Sequence, residues 1–410
     1  MDYKITMTAC YLGYIIQAVV NYFITLLLVN FRHEFGLSLT QITLLITLNF
    51  IIQLLTDLLS AFFIDKIGYR TSAVLAHAAT AVGLGGLTFF PSLFHHTFTG
   101  LLLAVILYAF GGGLLEVLIS PIIEALPLEN KEKHMSLLHS FYCWGQVGVI
   151  VLSTLFFSLF GINHWRVLAW IWVILPLLNI LLFTRCPIHP LIHTGEKGDN
   201  LYTLLKNPLF LLTFLMMICS GASNNGVSQW LSTFLESSLS ISKSIGDITG
   251  TCGYAALMGI SRVIYAKRSD KTDLKRTMLL SSLGCVIAYL MVSLLQIPLL
   301  NIAGCLLCGF SVGILWPGTF STASASMRHG GTLLFALLAL AGDIGCAAGP
   351  GLVGFITEHY NGNMNKGILA GTIFPILMLI CTFMLCQKQK NENGGITNDR
   401  KRKNAGRRII

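Results

Sequence analysis

Residues 98–124 read FTGLLLAVILYAFGGGLLEVLISPIIE, and this stretch decides the class of fold. From Phe98 to Leu115 the run carries no charged residue. A helix needs about 20 mostly apolar residues to cross the hydrocarbon core of a bilayer. The stretch therefore predicts a transmembrane helix with one acid, Glu116, in its interior and another, Glu124, at its end.

The rest of the chain has the same character. Hydrophobic residues make up 54% of the 410 residues and charged residues only 11%, whereas soluble domains carry roughly 25% charged residues. A soluble chain this apolar could not cover its own surface, so lipid is the expected solvent. Apolar runs predict twelve spans, near residues 5–30, 40–64, 72–93, 98–124, 135–160, 165–184, 208–236, 244–266, 276–296, 298–325, 331–357 and 367–386.

The spans divide six and six around a polar connection rich in Pro, Gly and charged residues. A faint internal repeat supports this division, since Gly113 to Pro121 can be laid over Gly309 to Pro317. We therefore expect an all-α integral membrane protein with twelve transmembrane helices in two pseudo-symmetric six-helix bundles. The predicted parts are a first bundle at 1–184, a cytoplasmic linker at 185–206, a second bundle at 207–386 and a basic cytoplasmic tail at 387–410.

The distribution of Lys and Arg predicts the orientation. With a cytoplasmic N-terminus, 22 of the 27 basic residues fall on the cytoplasmic side and four on the other. Cytoplasmic loops carry such an excess, so both termini are expected inside a multi-pass protein of the inner (plasma) membrane. The tail run Arg400-Lys-Arg-Lys could bind anionic lipid or nucleic acid, but topology alone accounts for it. We expect the lipid bilayer as partner, no nucleic acid, and a monomer.

The loop between spans two and three carries a recognisable motif, Ala61-Phe-Phe-Ile-Asp65-Lys66-Ile-Gly68-Tyr-Arg70. It resembles the loop signature of the major facilitator superfamily, which is glycine, then aspartate–basic, then glycine–basic. Ala61 stands in place of the opening glycine. The resemblance extends over essentially the whole chain and implies that Asp65, Gly68 and Arg70 serve conformational switching.

Within that superfamily the chain is most similar to the fucose–proton symporter family and related sugar transporters. The similar segments are Gly111-Gly-Gly-Leu-Leu-Glu116 with Pro121, Leu138-His-Ser-Phe141 with Gly145, and Gly259-Ile-Ser-Arg262. The resemblance implies a sugar as solute and a proton as coupling ion. The paired carboxylate that the symporters carry in span one has no counterpart here, because that stretch reads Asn21-Tyr-Phe-Ile-Thr25.

Ionisable groups inside a span are costly and are functional candidates by default. Glu116 is the strongest candidate for the coupling proton, because a low dielectric disfavours its charged form. The alternative is a structural acid that pairs with Arg262 or is hydrogen-bonded to its neighbours. Asp343, among the glycines of span eleven, is expected to be a second proton or cation site or a structural partner. Asp57 is expected to be a gating or structural acid.

Two further charged residues have expected surroundings. Glu124 should join the loop network of Asp65 and Arg70. Arg262 is the single basic residue within a span. It should either lie deep and pair with an acid or face water, or extend its side chain to the cytoplasm.

A sugar site needs amides for the hydroxyls and an aromatic face for the ring. Span seven supplies both, since Asn225 and Gln229 are four residues apart on one helical face and Trp230 follows. The alternative for these amides is hydrogen bonding between helices. The predicted substrate-binding residues are Asn21, Asn49, Gln53, His139, Gln146, Asn224, Asn225, Gln229, Trp230 and Trp316.

The sequence lacks the motifs of a membrane enzyme or an ATP-driven pump. It has no phosphate-binding glycine loop with lysine and no metal-ligand spacing, so the only expected energy source is a transmembrane proton or cation gradient, with no cofactor. The predicted function is secondary active transport, as proton-coupled symport of a sugar or similar polyhydroxy solute. A drug or metabolite exporter of the same superfamily and an uncoupled facilitator are the alternatives.

Overall fold

The computed structural model describes residues 3–191, 198–231, 250–295 and 297–387, and this part of the chain is helical, with no strand. The first half contains α1 (Lys4–Phe35), α2 (Leu39–Ile67), α3 (Tyr69–Leu93), α4 (Thr97–Ala125), α5 (Lys131–Phe160) and α6 (Trp165–Arg185). The second half contains a short α7 (Leu201–Lys206), then α8 (Pro208–Ser228), α9 (Gly253–Arg268), α10 (Leu274–Leu294), α11 (Pro298–Val312), α12 (Leu315–Ser326), α13 (Gly331–His359), α14 (Met364–Gly371) and α15 (373–387).

Eleven helical segments in the described ranges are long and apolar enough to cross a membrane. One of them, Leu299–Ser326, is broken between α11 and α12, and another, Met364–Gln387, is broken between α14 and α15. The predicted eighth span lies partly outside the described residues, which resume at 250 just before α9. The prediction of an all-helical membrane fold is confirmed.

Two predicted span ends differ from the structure. The first helix continues past residue 30 to Phe35 and ends where Gly36 adopts a left-handed φ of 64°. The last turn of this helix contains the acid Glu34. Its carboxylate accepts a hydrogen bond from the Trp165 indole at 2.7 Å and pairs with Arg166. Span seven was predicted to reach 236, but α8 ends at Ser228, and residues 232–249 lie outside the described part.

The helices of each half pack mainly on one another. In the first half α3 packs against α4 and α6, and α1 packs against α5; in the second half α8 packs against α13, and α10 against α11. The halves meet where α5 packs against α9 and where α2 and α4 pack against α13. Polar side chains on these contacting faces therefore lie between the halves.

The glycines of the internal repeat make equivalent contacts in the two halves. Gly113 of α4 lies against Gln53 and Thr56 of α2, and Gly309 of α11 lies against the backbone of Tyr254 in α9. In both halves the fourth span thus packs closely on the second. This is the relationship that a repeat of six spans predicts.

Candidate transport site

Three acids from three helices meet between the halves. Carboxyl oxygens of Asp57 in α2, Glu116 in α4 and Asp343 in α13 all lie within 4.8 Å of one another. Two of these helices belong to the first half and one to the second. Like charges this close cannot all persist in a poorly hydrated site, so protons or a cation must offset them.

The acids lie deep in the helices. Asp57 is ten residues before the end of α2, Glu116 nine before the end of α4, and Asp343 twelve after the start of α13. At 1.5 Å per residue these positions are about 14 to 18 Å from the helix ends. All three ends are on the side where α1 begins and α6 ends, which we call the terminal side. The acids are therefore close to the middle of a hydrocarbon core of about 30 Å.

The acids have few hydrogen-bond donors. The Gln17 amide nitrogen donates to Glu116 at 2.6 Å. Both carboxyl oxygens of Asp57, which is fully buried, lack a donor among the described residues, and so does the amide oxygen of Gln17. Buried polar atoms in proteins are nearly always hydrogen-bonded. The unpaired oxygens therefore indicate a site that accepts a further group.

An amide cluster lies one helical turn from Gln17. The Asn21 amide oxygen accepts from Gln53 at 2.8 Å and from Asn49 at 3.4 Å, and its nitrogen donates to the Tyr142 hydroxyl at 3.2 Å. Three of the predicted substrate residues, on α1 and α2, are thus brought together next to the acids. Asn21 is partly buried, whereas Asn49 and Gln53 are buried.

His139 forms a separate buried group. Its Nε2 lies 3.2 Å from the Ser120 hydroxyl and 3.4 Å from the Tyr14 hydroxyl, and its ring stacks on Phe320. These neighbours satisfy the ring and hold it against the second half. The surroundings are those of a packed, hydrogen-bonding histidine.

Arg262 has different partners from both of those expected. Its Nε donates to the Gly313 carbonyl at 2.7 Å, and its Nη1 donates to the His139 carbonyl at 2.6 Å and lies 3.0 Å from Cys143 Sγ. Arg262 is only 6% exposed, so it does not reach the cytoplasm, and no acid among the described residues pairs with it. Pro317 lies four residues after Gly313 and has no N–H for that carbonyl. The guanidinium supplies the missing donor, as helices in membranes require.

In α13, too, a side chain from another helix bonds to a carbonyl that a proline leaves without its helical donor. Pro350 leaves the Cys346 carbonyl without its helical partner, and the Asn225 amide donates to that carbonyl at 3.4 Å. Trp230 donates its indole N–H to the Pro350 carbonyl at 3.0 Å. Two of the predicted substrate residues therefore also stabilise a kinked helix.

The other predicted substrate residues are not in the amide cluster. Asn224 accepts from the Tyr254 hydroxyl at 3.1 Å. Gln229 follows the end of α8 and is exposed, although its N–H still bonds to the Asn225 carbonyl. The Trp316 ring packs over Gly342, next to Asp343. Gln146 is buried in α5.

The loop motif joins the halves on the terminal side. The carboxylate of Asp65 accepts from the Thr332 hydroxyl of α13 at 2.6 Å, and Tyr69 also contacts this hydroxyl. Gly68 turns the chain with a φ of 84°. Arg70 donates to three carbonyls at the end of α6, those of Phe183, Thr184 and Cys186.

The expected network of Glu124 with Asp65 and Arg70 is not formed. Glu124 pairs instead with Lys131 at 3.5 Å, because the chain reverses between α4 and α5 and brings the two side chains together. Asp65 faces the second half, and Arg70 caps α6. Each of the three residues therefore stabilises a different contact.

Further hydrogen bonds hold the halves together on the terminal side. Asn130 donates to Asp270 at 2.6 Å, and Tyr265 donates to Glu132 at 2.8 Å. A cavity of about 890 Å³ lies at the same level, and its lining includes Glu124, Lys131 and Arg328. None of the predicted site residues lines it. This cavity is therefore distinct from the acids and the amide cluster.

Several residues of the site are not among the predicted coupling or substrate residues. Asp57 is predicted to be a gating or structural acid. The sequence could not predict that it lies close to Asp343, because this contact depends on how the two halves pack together. Tyr142, Tyr14 and Ser120 were missed. Gln17 is not among the predicted site residues, although its i, i+4 spacing from Asn21 indicates a shared helical face.

Comparison with known proteins identifies the family. The family model described as Major Facilitator Superfamily matches residues 10–350. The chain belongs to the major facilitator superfamily. Comparison with curated protein sequences finds no match.

Solved structures of transporters have the same fold. The Escherichia coli fucose:proton symporter FucP is 17% identical over 94% of this chain and 99% of its own, with a TM-score of 0.76; a FucP structure in the outward conformation gives 0.78. The proton:xylose symporter XylE is 13% identical over 93% and 94%, with a TM-score of 0.77. The human organic anion transporter MFSD10 is 15% identical over 94% and 100%, with a TM-score of 0.71.

The solved structures establish the fold, and the family model establishes the class of protein. The chain is a multi-pass membrane transporter and not an enzyme. The solved structures include transporters of both sugars and organic anions, so the solute must be argued from the residues of this chain.

Proposed function

We propose that this protein is a secondary active transporter that couples proton movement to the symport of a sugar or similar polyhydroxy solute. The observation that carries the proposal is the position of Glu116. Its carboxylate accepts from Gln17 at 2.6 Å and lies within 4.8 Å of two other acids. Gln17 also shares a face of α1 with Asn21, so the proton-binding and amide groups adjoin.

The amide cluster is suited to hydroxyl groups. Asn21, Asn49 and Gln53 each carry both donors and acceptors, and the Tyr142 hydroxyl can donate or accept. In this state the four groups bond to one another at 2.8 to 3.4 Å. A solute with several hydroxyls would replace these bonds without leaving a polar group unpaired. From the second half Asn224, Asn225, Gln229, Trp230 and Trp316 remain candidates, together with His139 and Gln146 of α5.

We further propose the orientation and state of the protein. Both termini lie in the cytoplasm of a cell whose inner (plasma) membrane holds the protein as a monomer, in agreement with the Lys and Arg distribution. The terminal side, where Asp65 meets Thr332 and Asn130 meets Asp270, is then the cytoplasmic side. In that orientation, these two hydrogen bonds between the halves lie on the cytoplasmic side.

Proton coupling is tested by uptake into proteoliposomes under an imposed pH gradient. A thermal-shift screen of sugars on the purified protein first identifies the solute, since ligands stabilise the state that they bind. The wild type and the exposed-loop control Glu129→Gln should accumulate solute above its external concentration. Glu116→Gln should lose this accumulation, and accumulation equal to that of the wild type would refute the coupling role.

One observation favours an uncoupled facilitator as a second candidate. Span one carries Gln17 and Asn21 but no acid in its interior, so the chain lacks one of the two carboxylates implied by the resemblance to the fucose–proton symporters. A facilitator would bring the solute to equal concentrations on both sides in the same experiment, with or without a pH gradient.

A further inference from the structure

We propose that the cavity on the terminal side is a regulatory site for a small soluble phosphate monoester, which on binding holds the two halves together. The cavity has a volume of about 890 Å³, within the range of about 300 to 1,000 Å³ that is usual for small-molecule sites. It is called the terminal cavity below. None of the residues proposed to bind the solute or the coupling proton lines it, so the inference goes beyond the proposed function and depends on neither ligand.

Both halves and the linker contribute to the lining of the terminal cavity. Glu124 at the end of α4 and Lys131 at the start of α5 come from the first half. Arg328 and Gly331, next to and at the start of α13, come from the second half, and His189 comes from the linker. A ligand that contacts both halves binds the state in which they are joined here more tightly than a state in which they have separated. It therefore shifts the protein toward the joined state and slows transport.

The charged groups of the lining leave one cation without a partner. Glu124 pairs with Lys131, and Glu132 accepts a hydrogen bond from Tyr265. Arg328 is exposed and has no partner among the described residues. The charge that remains available in the terminal cavity is therefore positive, which favours an anionic ligand.

The first turn of α13 adds backbone donors close to this arginine in the chain. Its N-cap residue, Gly330, has no side chain to cap the helix, so the first N–H groups of α13 lack a helical acceptor. Gly331, the first residue of the helix, lines the cavity. Helix N-termini bind phosphate through such N–H groups, and a guanidinium can bond to two phosphate oxygens at once. Together these donors are suited to a phosphate monoester.

A buried hydroxyl in the wall of the terminal cavity indicates that the ligand has an organic part. Ser321 of α12 lines the cavity and is only 5% exposed. Its carbonyl accepts from Ser324 at 3.2 Å, but its hydroxyl has no partner among the described residues. Buried polar groups are nearly always hydrogen-bonded, so we expect this hydroxyl to bond to the ligand. Leu334 and Phe335 line the same cavity and can contact the carbon atoms of the ligand.

Soluble metabolites and lipid headgroups could both supply a phosphate group. The helices that line the cavity are those that join the halves, since α5 packs against α9 and α12, and α4 packs against α13. A ligand between them is enclosed by protein and has no place for acyl chains, so we assign a soluble ligand. In the proposed orientation it enters from the cytoplasm.

Equilibrium binding to the purified full-length protein tests the site. Labelled glucose 6-phosphate should bind the wild type saturably and at least tenfold more tightly than inorganic phosphate. Arg328→Gln should weaken its binding at least tenfold, because hydrogen bonds from charged groups are the strong ones, and Ser321→Ala should weaken it several-fold. The matched control is Arg268→Gln, an exposed arginine at the end of α9 that is not in the lining, and it should bind as the wild type does.

Three results would overturn the proposed site. The first is the absence of saturable binding to the wild type, and the second is unchanged affinity in Arg328→Gln. The third is equal affinity for glucose 6-phosphate and inorganic phosphate, which would show that the organic part of the ligand makes no contact. Arg328 is exposed, so its variant should fold, and an unfolding temperature like that of the wild type verifies this.

Hydrogen exchange tests whether binding holds the halves together. Exchange is measured in the first turns of α5 and the last turns of α9, which meet on the terminal side. Saturating glucose 6-phosphate should raise protection about tenfold in the wild type and in Arg268→Gln, within the range typical of coupled sites, but not in Arg328→Gln. Binding without a change in protection would overturn the regulatory role. An equal rise with phosphatidic acid that also requires Arg328 would overturn the soluble ligand in favour of a lipid headgroup.

These measurements use neither a solute nor a pH gradient. Their failure would remove the regulatory site and leave the proposed symport as it stands. Conversely, if Glu116→Gln retains full gradient-driven accumulation, the proposed coupling is wrong and the terminal cavity is unaffected.

Discussion

At the scale of single residues, Asn21 shows how the candidate solute site is held before the solute binds. Its amide oxygen accepts from both Gln53 and Asn49, and its nitrogen reaches Tyr142. These side chains come from three helices, so their spacing depends on the packing of α1 with α2 and α5. A solute that enters this cluster meets donors and acceptors that are already oriented.

Replacing one member of this cluster should weaken solute binding. We expect Gln53→Ala to lower affinity for the solute about tenfold, because a hydrogen bond is typically worth about 1 kcal/mol and the truncation leaves Asn21 without its shorter donor. Binding is measured as the solute-dependent thermal shift of the purified protein. Asn30→Ala, which removes an exposed amide that bonds only to Glu34, should leave affinity unchanged; equal losses in both variants would argue against the site.

Arg262 should prove structural. Arg262→Ala removes donors from the carbonyls of Gly313 and His139, and hydrogen bonds from charged groups contribute about 1.5 to 3 kcal/mol each. We expect a clear fall in the unfolding temperature. Arg268→Ala, at the exposed end of the same helix, provides the control and should change the unfolding temperature little. An unchanged unfolding temperature in Arg262→Ala would show that the two carbonyls do not need this donor.

Chemistry and position in the sequence were enough to single out the intramembrane acids, whose role in proton coupling stays a prediction. Glu116 and Asp343 stand out as acids in long apolar runs, and the structure brings them together. Asp57 was predicted to have a gating or structural role. Its proximity to Asp343 could not be predicted, because it depends on contacts between halves that are far apart in sequence. Both expectations for Arg262 were wrong, because its partners are the His139 carbonyl and the Gly313 carbonyl, which Pro317 leaves unpaired. The sequence does not show which helices are neighbours.

At the scale of helices, close packing of α8 and α13 keeps the second half together. A Cβ added at Gly345 would lie 2.0 Å from the Ile218 carbonyl oxygen of α8. The backbone carbonyl cannot move aside easily, so a larger residue must separate the two helices.

We expect Gly345→Val to destabilise the protein by about 2 kcal/mol or more, as overpacking usually does. The measurement is the unfolding temperature in detergent. Gly351→Ala is the matched control on the same helix, since a Cβ there would meet nothing within 4 Å. A Gly345→Val protein as stable as the wild type would contradict the described packing.

The approximate positions of the eleven spans in the described residues could be predicted from apolar runs, whereas the breaks inside those spans could not. The tenth span is interrupted at Gly313 and Ile314, and Pro317 and the Arg262 donor together explain why this break is tolerated. Likewise, α8 ends at Ser228 inside the predicted seventh span, and residues 232–236 of that span lie outside the described residues. Hydropathy measures the preference for lipid, not the continuity of a helix.

At the scale of the whole molecule, the halves are joined on the terminal side. The bonds of Asn130 with Asp270, Glu132 with Tyr265 and Asp65 with Thr332 all lie there. With the predicted orientation, these bonds close the cytoplasmic side. Transport requires them to break and re-form in each cycle.

The orientation is tested with reporter fusions. A fluorescent protein that matures only in the cytoplasm should fluoresce when fused to the C-terminus, and a phosphatase that is active only outside the cytoplasm should be inactive there. Insertion at the turn of Asn361 and Gly362, which connects α13 to α14 on the opposite side, should give the reverse pattern. Identical patterns at the two positions would refute the assigned topology.

The central claim is that solute and proton move together in one direction. It is tested most directly in proteoliposomes that contain a pH indicator and start without a pH gradient. Inward flow of solute down its own gradient should acidify the interior with the wild type and should not do so with Glu116→Gln. Solute entry through the wild type with no change of internal pH would contradict proton coupling.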